Sequence, residues 1–185
     1  MNLPGRSSVT VDRQRTPDGR RFVVEREIAA PAGDCWDLLI DTTRWPEWGP
    51  SVEAVDCDRQ YIEAGTTGRV QTVGGVWLPF EITACRDRRW TWRVARVPAT
   101  GHRVRGEDPC QVGFELPLLA AGYAVVCVRA LDTLAAMATA SAEATCTRQT
   151  NVHLRVGRRE HTCIGKGVHL GLGKRSLTNT GGRQN

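Results

Sequence analysis

The chain has no CxxC pair, no basic-then-apolar leader, no lysine before Lys166, and no uninterrupted apolar run of membrane-spanning length. Each absence excludes something. Met1 to Arg20 is polar, so a secretory signal is not expected. The longest apolar segment, Leu116 to Val128, is broken by Pro117 and Gly122, against the roughly 20 residues a bilayer requires. No membrane span is therefore expected, and the expected location is the cytoplasm. The 7 cysteines are odd in number and scattered. Without export they read as small buried hydrophobes and free thiols, not as a disulfide framework.

A basic excess is also missing from most of the chain. The formal charge of +5 comes from residues 147–185, whose eight Lys and Arg against Glu160 give a net +7, while residues 1–146 carry a net −2. A body of that charge does not hold phosphates electrostatically, and its tryptophans sit in apolar patterns away from any basic stripe. No specific nucleic-acid partner is expected.

At 185 residues one domain is the natural size. Residues 1–19, punctuated by Pro4-Gly5 and Pro17-Asp18-Gly19, read as a flexible lead-in. Residues 20–145 carry the domain. Residues 146–185 read as a basic, Gly-rich tail without aromatic residues or sustained periodicity, expected to be disordered or only locally structured. An ordinary tail and an appended extension both fit that composition. His153, His161, Cys163 and His169 lack zinc-site spacing, and Gly171-Leu172-Gly173-Lys174-Arg175-Ser176 lacks the leading Gly and the Ser/Thr of a phosphate loop. No metal or cofactor is expected.

Within the domain, a strand is predicted from about Arg21 to Ile28. A short helix follows, opened by Pro31, with Cys35, Trp36, Leu38, Leu39 and Ile40 on its apolar side. A second, shorter helix holds Pro46, Glu47 and Trp48 and is stopped by Gly49-Pro50. Strands separated by turn signals occupy Ser51 to Leu116, with Gly74-Gly75 and Pro98 to Gly101 among the reversals. Leu119, Tyr123, Val126, Ala130, Leu134 and Met137 recur at helical spacing and predict one face of a long helix from Pro117 to Ala144.

These features resemble the polyketide cyclase/dehydrase and lipid-transport superfamily, also called SRPBCC or START-like. The carriers are Pro31 and Trp36, Asp41, Trp45, Trp48 and Pro50, Gly65, Phe80 and Thr83, Trp90-Thr91-Trp92 and His102, and Tyr123 with Leu131 to Leu134. The resemblance implies an α+β helix-grip fold: a curved antiparallel sheet of about seven strands wrapped around a long C-terminal helix, with two short helices after the first strand. It also implies a cup that encloses a hydrophobic or amphipathic small molecule, lipid or polyketide-like. A cyclase/dehydrase-type enzyme on the same cup is the alternative.

Strand alternation turns Phe80, Ile82, Trp92, Val94, His102, Val104 and Phe114 to one face. With Tyr123 and Val126 from the long helix, and Trp45 and Trp48 at the cup's end, they are the candidate ligand-binding residues. His102, the only histidine of the body, is the candidate catalytic residue because its ordinary pKa suits proton transfer near neutrality. Asp34, Asp37 and Asp41 follow helical spacing, where Asp34 complements the helix dipole. Oligomeric state is not legible.

Overall fold

A computed structural model of the chain describes residues 8–157. Eight strands form one antiparallel sheet in the order β1-β2-β8-β7-β6-β5-β4-β3. They are β1 (Thr10–Thr16), β2 (Gly19–Ile28), β3 (Val52–Asp56), β4 (Thr67–Thr72), β5 (Trp77–Arg86), β6 (Arg89–Val94), β7 (Val97–Gly106) and β8 (Cys110–Pro117). Between β2 and β3 lie α1 (Ala32–Ile40), a 3-10 turn at Thr42–Arg44 and α2 (Trp45–Trp48); after β8 come a 3-10 segment, Leu118–Tyr123, and α3 (Ala124–Gly157). This is the helix-grip arrangement: a curved sheet, two short helices after the opening strands, and a long C-terminal helix.

The sheet has one strand more than the sequence predicts. β1 pairs with β2 along its whole length, from Thr10 opposite Glu25 to Thr16 opposite Gly19. It falls in the stretch read as a lead-in because almost every β1 side chain is exposed, so no apolar alternation announces it. Backbone pairing to a neighbour holds this edge strand. A second difference is the β6–β7 reversal, which occurs at Ala95 and Arg96, both at positive φ (49° and 67°), leaving Pro98 inside β7 opposite Arg93. Two consecutive positive φ angles suit the twist of a tight hairpin, but Asn or Gly usually signals them. Ala-Arg carries no such signal.

Register explains where the site lies. Trp90 pairs with His102, and His102 pairs with Phe114, so the three side chains form a row across β6, β7 and β8 on the inner face. Beneath and beside them the core gathers Val24, Ile28, Leu39, Trp45, Ile82, Leu116, Leu131 and Leu134. Each fully buried Trp or Phe removes about 150–250 Å² from water, worth about 4–6 kcal/mol before entropy is counted. The aromatics anchor this core.

The outer face is fastened by charge. Glu115, 1% exposed, accepts two guanidinium groups: Arg89 Nη2 at 2.7 Å and Arg103 Nη1 at 3.3 Å. Arg103 Nη2 also reaches Glu25 at 2.6 Å and Gln14 at 2.7 Å; Arg89 continues to Asp18, and Arg105 joins Glu25. Gly113, between Arg103 and Glu25 in the register, makes room for this crossing. A Cβ there would meet Glu25 Cγ at 2.9 Å and Oε1 at 3.1 Å.

The long helix also departs from its predicted face. Cys127, Ala130, Leu131, Leu134 and Ala138 are buried, whereas Leu119 is fully exposed. The segment before Ala124 is 3-10, with Ala120 outside helical angles (φ −100°, ψ 24°), so the periodicity does not extend back to Leu119. By length and composition alone, Leu118–Ala144 would suffice to cross a membrane, which the broken apolar run does not foretell. Its buried face belongs to the domain core, and an Arg26–Asp132 ion pair ties it to β2. The helix runs on to Gly157, past the predicted tail boundary. The metal-capable residues His161, Cys163 and His169 and the Gly171–Ser176 segment lie outside the described residues.

Candidate functional site

The site is built from the two short helices inward. Pro31 sits at the N-cap of α1, and Ala32, Cys35, Leu38 and Leu39 are buried at helical spacing. Asp41 ends the helix and caps the following 3-10 turn, accepting from the Thr43 amide at 3.0 Å and from Gln60 Nε2 at 3.0 Å. Burial acts to raise its pKa, but the hydrogen bonds from Thr43 and Gln60 outweigh burial and lower it. Asp41 is thus a structural cap, and among the described residues no group of acids, cysteines and histidines is arranged to hold a metal.

Pro46 stands in the first turn of α2, whose two tryptophans turn back onto α1. The Trp45 indole donates to the Leu39 carbonyl at 3.0 Å, and the Trp48 indole to the Leu38 carbonyl at 3.0 Å. These carbonyls belong to the last turn of α1, where no intrahelical donor remains. The Trp-x-x-Trp spacing therefore satisfies a helix end and inserts two large rings into the cup at once.

The rings continue as an aromatic cluster. Trp45 stacks on Trp90 with centroids 5.4 Å apart and planes within 4°, and meets Phe80 and Trp92 edgewise or tilted. Trp90 stacks on His102; Trp48 lies 6.0 Å from His102 and 5.9 Å from Phe114. His102 is 4% exposed. Its Nε2 lies 3.4 Å from Thr100 Oγ1, and the same oxygen accepts from Trp92 Nε1 at 3.2 Å. His102 Nδ1 and Trp90 Nε1 are buried and meet no hydrogen-bond partner. Burial pushes the His102 pKa down to about 3, so the ring is neutral near pH 7 and a weak base.

Two adjoining chambers remain. The inner one, about 40 Å³, is walled by Trp45, Trp48, Trp90, His102, Phe114, Val126, Cys127 and Ala130. The outer one, about 400 Å³, is walled by Val70, Val73, Val94, Pro98, Pro117 and Ala120. Ser51, Val52, Trp92, Thr100 and Tyr123 belong to both walls. At that junction the Ser51 and Tyr123 hydroxyls bond to each other, joining the loop after α2 to the segment before α3. Neither wall contains an acidic or basic side chain other than neutral His102. Cys127, facing the inner chamber, has its thiol pKa pushed up to about 12 by burial, so it is no thiolate nucleophile.

Of the sequence-predicted residues, Trp45, Trp48, Trp92, His102, Phe114, Tyr123 and Val126 come together around the inner chamber, and Val94 joins the outer wall. Phe80, Ile82 and Val104 line neither chamber and are buried in the core. Sequence reasoning passes over Ser51, Thr100, Trp90 and Cys127 as wall residues. Thr100 was reachable, since it stands two positions before His102 on the same strand face. Ser51 follows a helix-stopping Gly49-Pro50 and carries no signal of its own.

The family described as polyketide cyclase/dehydrase and lipid transport matches residues 19–114. Among solved structures, a Mycobacterium smegmatis protein is similar at 18% identity, with 72% of this chain and 99% of that one aligned at a TM-score of 0.50. A Mesorhizobium loti protein aligns at 15% identity over 64% of this chain and 96% of its own, TM-score 0.52. An Arthrobacter aurescens protein aligns at 11% identity over 70% and 91%, TM-score 0.51. At these identities the likeness is one of fold. No curated protein matches the chain.

Proposed function

The chain belongs to the polyketide cyclase/dehydrase and lipid-transport family, and from that premise we propose that it binds a hydrophobic or amphipathic small molecule between its sheet and α3. The observation that carries this reading is the pair of adjoining chambers, apolar and free of charged side chains, opening beneath a helix that buries only one face. A concave apolar space with a few convergent hydroxyls is what holding such a molecule requires.

Binding ranks ahead of catalysis. A general base works best with a pKa near the operating pH, whereas burial holds His102 far below it. Neither chamber wall contains a carboxylate to orient or assist it. The cyclase/dehydrase alternative would need Tyr123 or His102 to move a proton without such a partner.

The test is titration with Nile red, an uncharged environment-sensitive dye, followed by dye emission and tryptophan quenching. Saturable binding at about one dye per chain, competed by long-chain alcohols, is expected. A linear, unsaturable response with no tryptophan quenching would remove the reading.

A further inference from the structure

We propose that the ligand is a flat, uncharged, oxygen-bearing molecule whose hydroxyl or carbonyl enters first, hydrogen-bonding at Thr100 where the two chambers join, while its apolar ring body fills the outer chamber. This inference rests on the chambers being a binding site. It adds the polarity, shape and orientation of what they take.

Hydrogen-bond counting at Thr100 supplies the first argument. A threonine hydroxyl offers one donor and two acceptor positions. The protein uses two of the three: Trp92 Nε1 donates to it at 3.2 Å, and His102 Nε2 lies 3.4 Å away. If His102 Nε2 carries the proton, the Thr100 hydrogen remains for a ligand acceptor; if it does not, a Thr100 lone pair remains for a ligand donor. A ligand hydroxyl, being both, fits either state. Ser51 and Tyr123, bonded to each other at the same junction, also have capacity left after their mutual bond.

Charge supplies the second argument. No Arg or Lys lines either chamber, and His102 is 4% exposed among aromatic rings. An ionised carboxylate at the junction would therefore be buried without a counter-charge, which is prohibitive unless the group neutralises or turns back to water. The cations of the neighbouring strands stand elsewhere: Arg93 and Arg96 are exposed on and beyond β6, and Arg103 and Arg105 are engaged with Glu25 on the outer face.

Shape supplies the third. The outer chamber, about 400 Å³, lies near the lower end of the roughly 300–1,000 Å³ range of small-molecule sites. Trp92 and the valines Val52, Val70 and Val94 give it broad apolar walls suited to a ring system. The inner chamber, about 40 Å³, admits little beyond a polar tip or a water.

The experiment is calorimetric titration of the full chain at pH 7.5 with three matched probes, naphthalene, 2-naphthol and 2-naphthoate, against the natural protein, Thr100→Val and Thr100→Ser. We expect 2-naphthol to bind tightest and 2-naphthoate at least about tenfold more weakly. Thr100→Val should weaken 2-naphthol about five- to tenfold, the loss of one hydrogen bond, and leave naphthalene within about twofold. Thr100→Ser should restore the 2-naphthol affinity. Equal or tighter binding of 2-naphthoate, or indifference of 2-naphthol to Thr100→Val, overturns this inference while leaving the chambers a binding site. Failure of all three probes to saturate overturns both.

Discussion

Trp90 and His102 lie face to face on adjacent strands, ring centroids 3.8 Å apart and planes within 17° of parallel. The imidazole is thereby used as an aromatic plate, with Phe114 against its edge at 4.7 Å, and its proton chemistry is suppressed by the same packing. Protonation would place a cation among rings with no carboxylate near.

That relationship predicts a pH dependence of stability. The His102 pKa is about 3 in the folded chain against 6.5 ordinarily. The unfolded chain therefore takes up a proton first as pH falls below about 6.5, and the stability this neutral ring contributes is lost progressively from there down to about pH 3. The full difference is on the order of 3–5 kcal/mol. Urea unfolding at pH 7.5, 6, 5 and 4 should show a shallower decline for His102→Phe than for the natural chain. Parallel declines would mean that His102 is solvated.

Trp48→Ala should cost about 3–5 kcal/mol. The side chain is 6% exposed, donates to the Leu38 carbonyl and touches His102 and Phe114, so its removal opens a void and strands a helix-end carbonyl. Thermal unfolding beside the natural chain measures it. A shift of the midpoint by less than a couple of degrees would contradict the packing described.

Gly68→Ala tests the β3–β5 end of the sheet. A Cβ there would stand 2.7 Å from the Asp56 carbonyl oxygen and 2.7 Å from the Phe80 ring. The ring can turn, but the carbonyl belongs to the β3 ladder. Overpacking of this kind costs about 1–3 kcal/mol. Gly33→Ala, inside α1 with nothing within 4 Å, is the control that should not destabilise: chemical denaturation should place it level with the natural chain or more stable by up to about 1 kcal/mol.

Removing the carboxylate of Glu115 leaves Arg89 and Arg103 facing each other on a covered surface. Glu115→Ala should destabilise by about 3–5 kcal/mol, the usual cost of breaking a buried pair from one side. Glu115→Gln, which keeps the hydrogen-bonding shape and loses the charge, should fall between. If circular-dichroism melts place Glu115→Ala within a degree of the natural protein, the network is not buried as described.

The fold was legible where side chains alternate between core and solvent. Pro31, the Trp45–Trp48 pair and the strand rows through Phe80, Trp92 and Phe114 locate the helices, the cup and its inner face without coordinates. What escaped has a common cause: features made by backbone leave little trace in side-chain pattern. β1 is held by a ladder, the β6–β7 turn by two positive φ angles at Ala95 and Arg96, and the exposure of Leu119 by a 3-10 stretch that breaks the helical count. For the site, alternation says which residues point inward but not which of them meet one another. Phe80, Ile82 and Val104 are as inward as Trp92, yet they close the core while Trp92 borders both chambers.

The charged lattice from Asp18 through Arg89, Glu115 and Arg103 to Glu25 has a consequence for how such a protein changes over generations. It braces strands β1, β2, β6, β7 and β8 from the outside, using side chains that never see the interior space. A mutation at Val94 or Thr100 alters what is contained and leaves that bracing untouched. The contents of the vessel are thus free to drift while its staves stay bound.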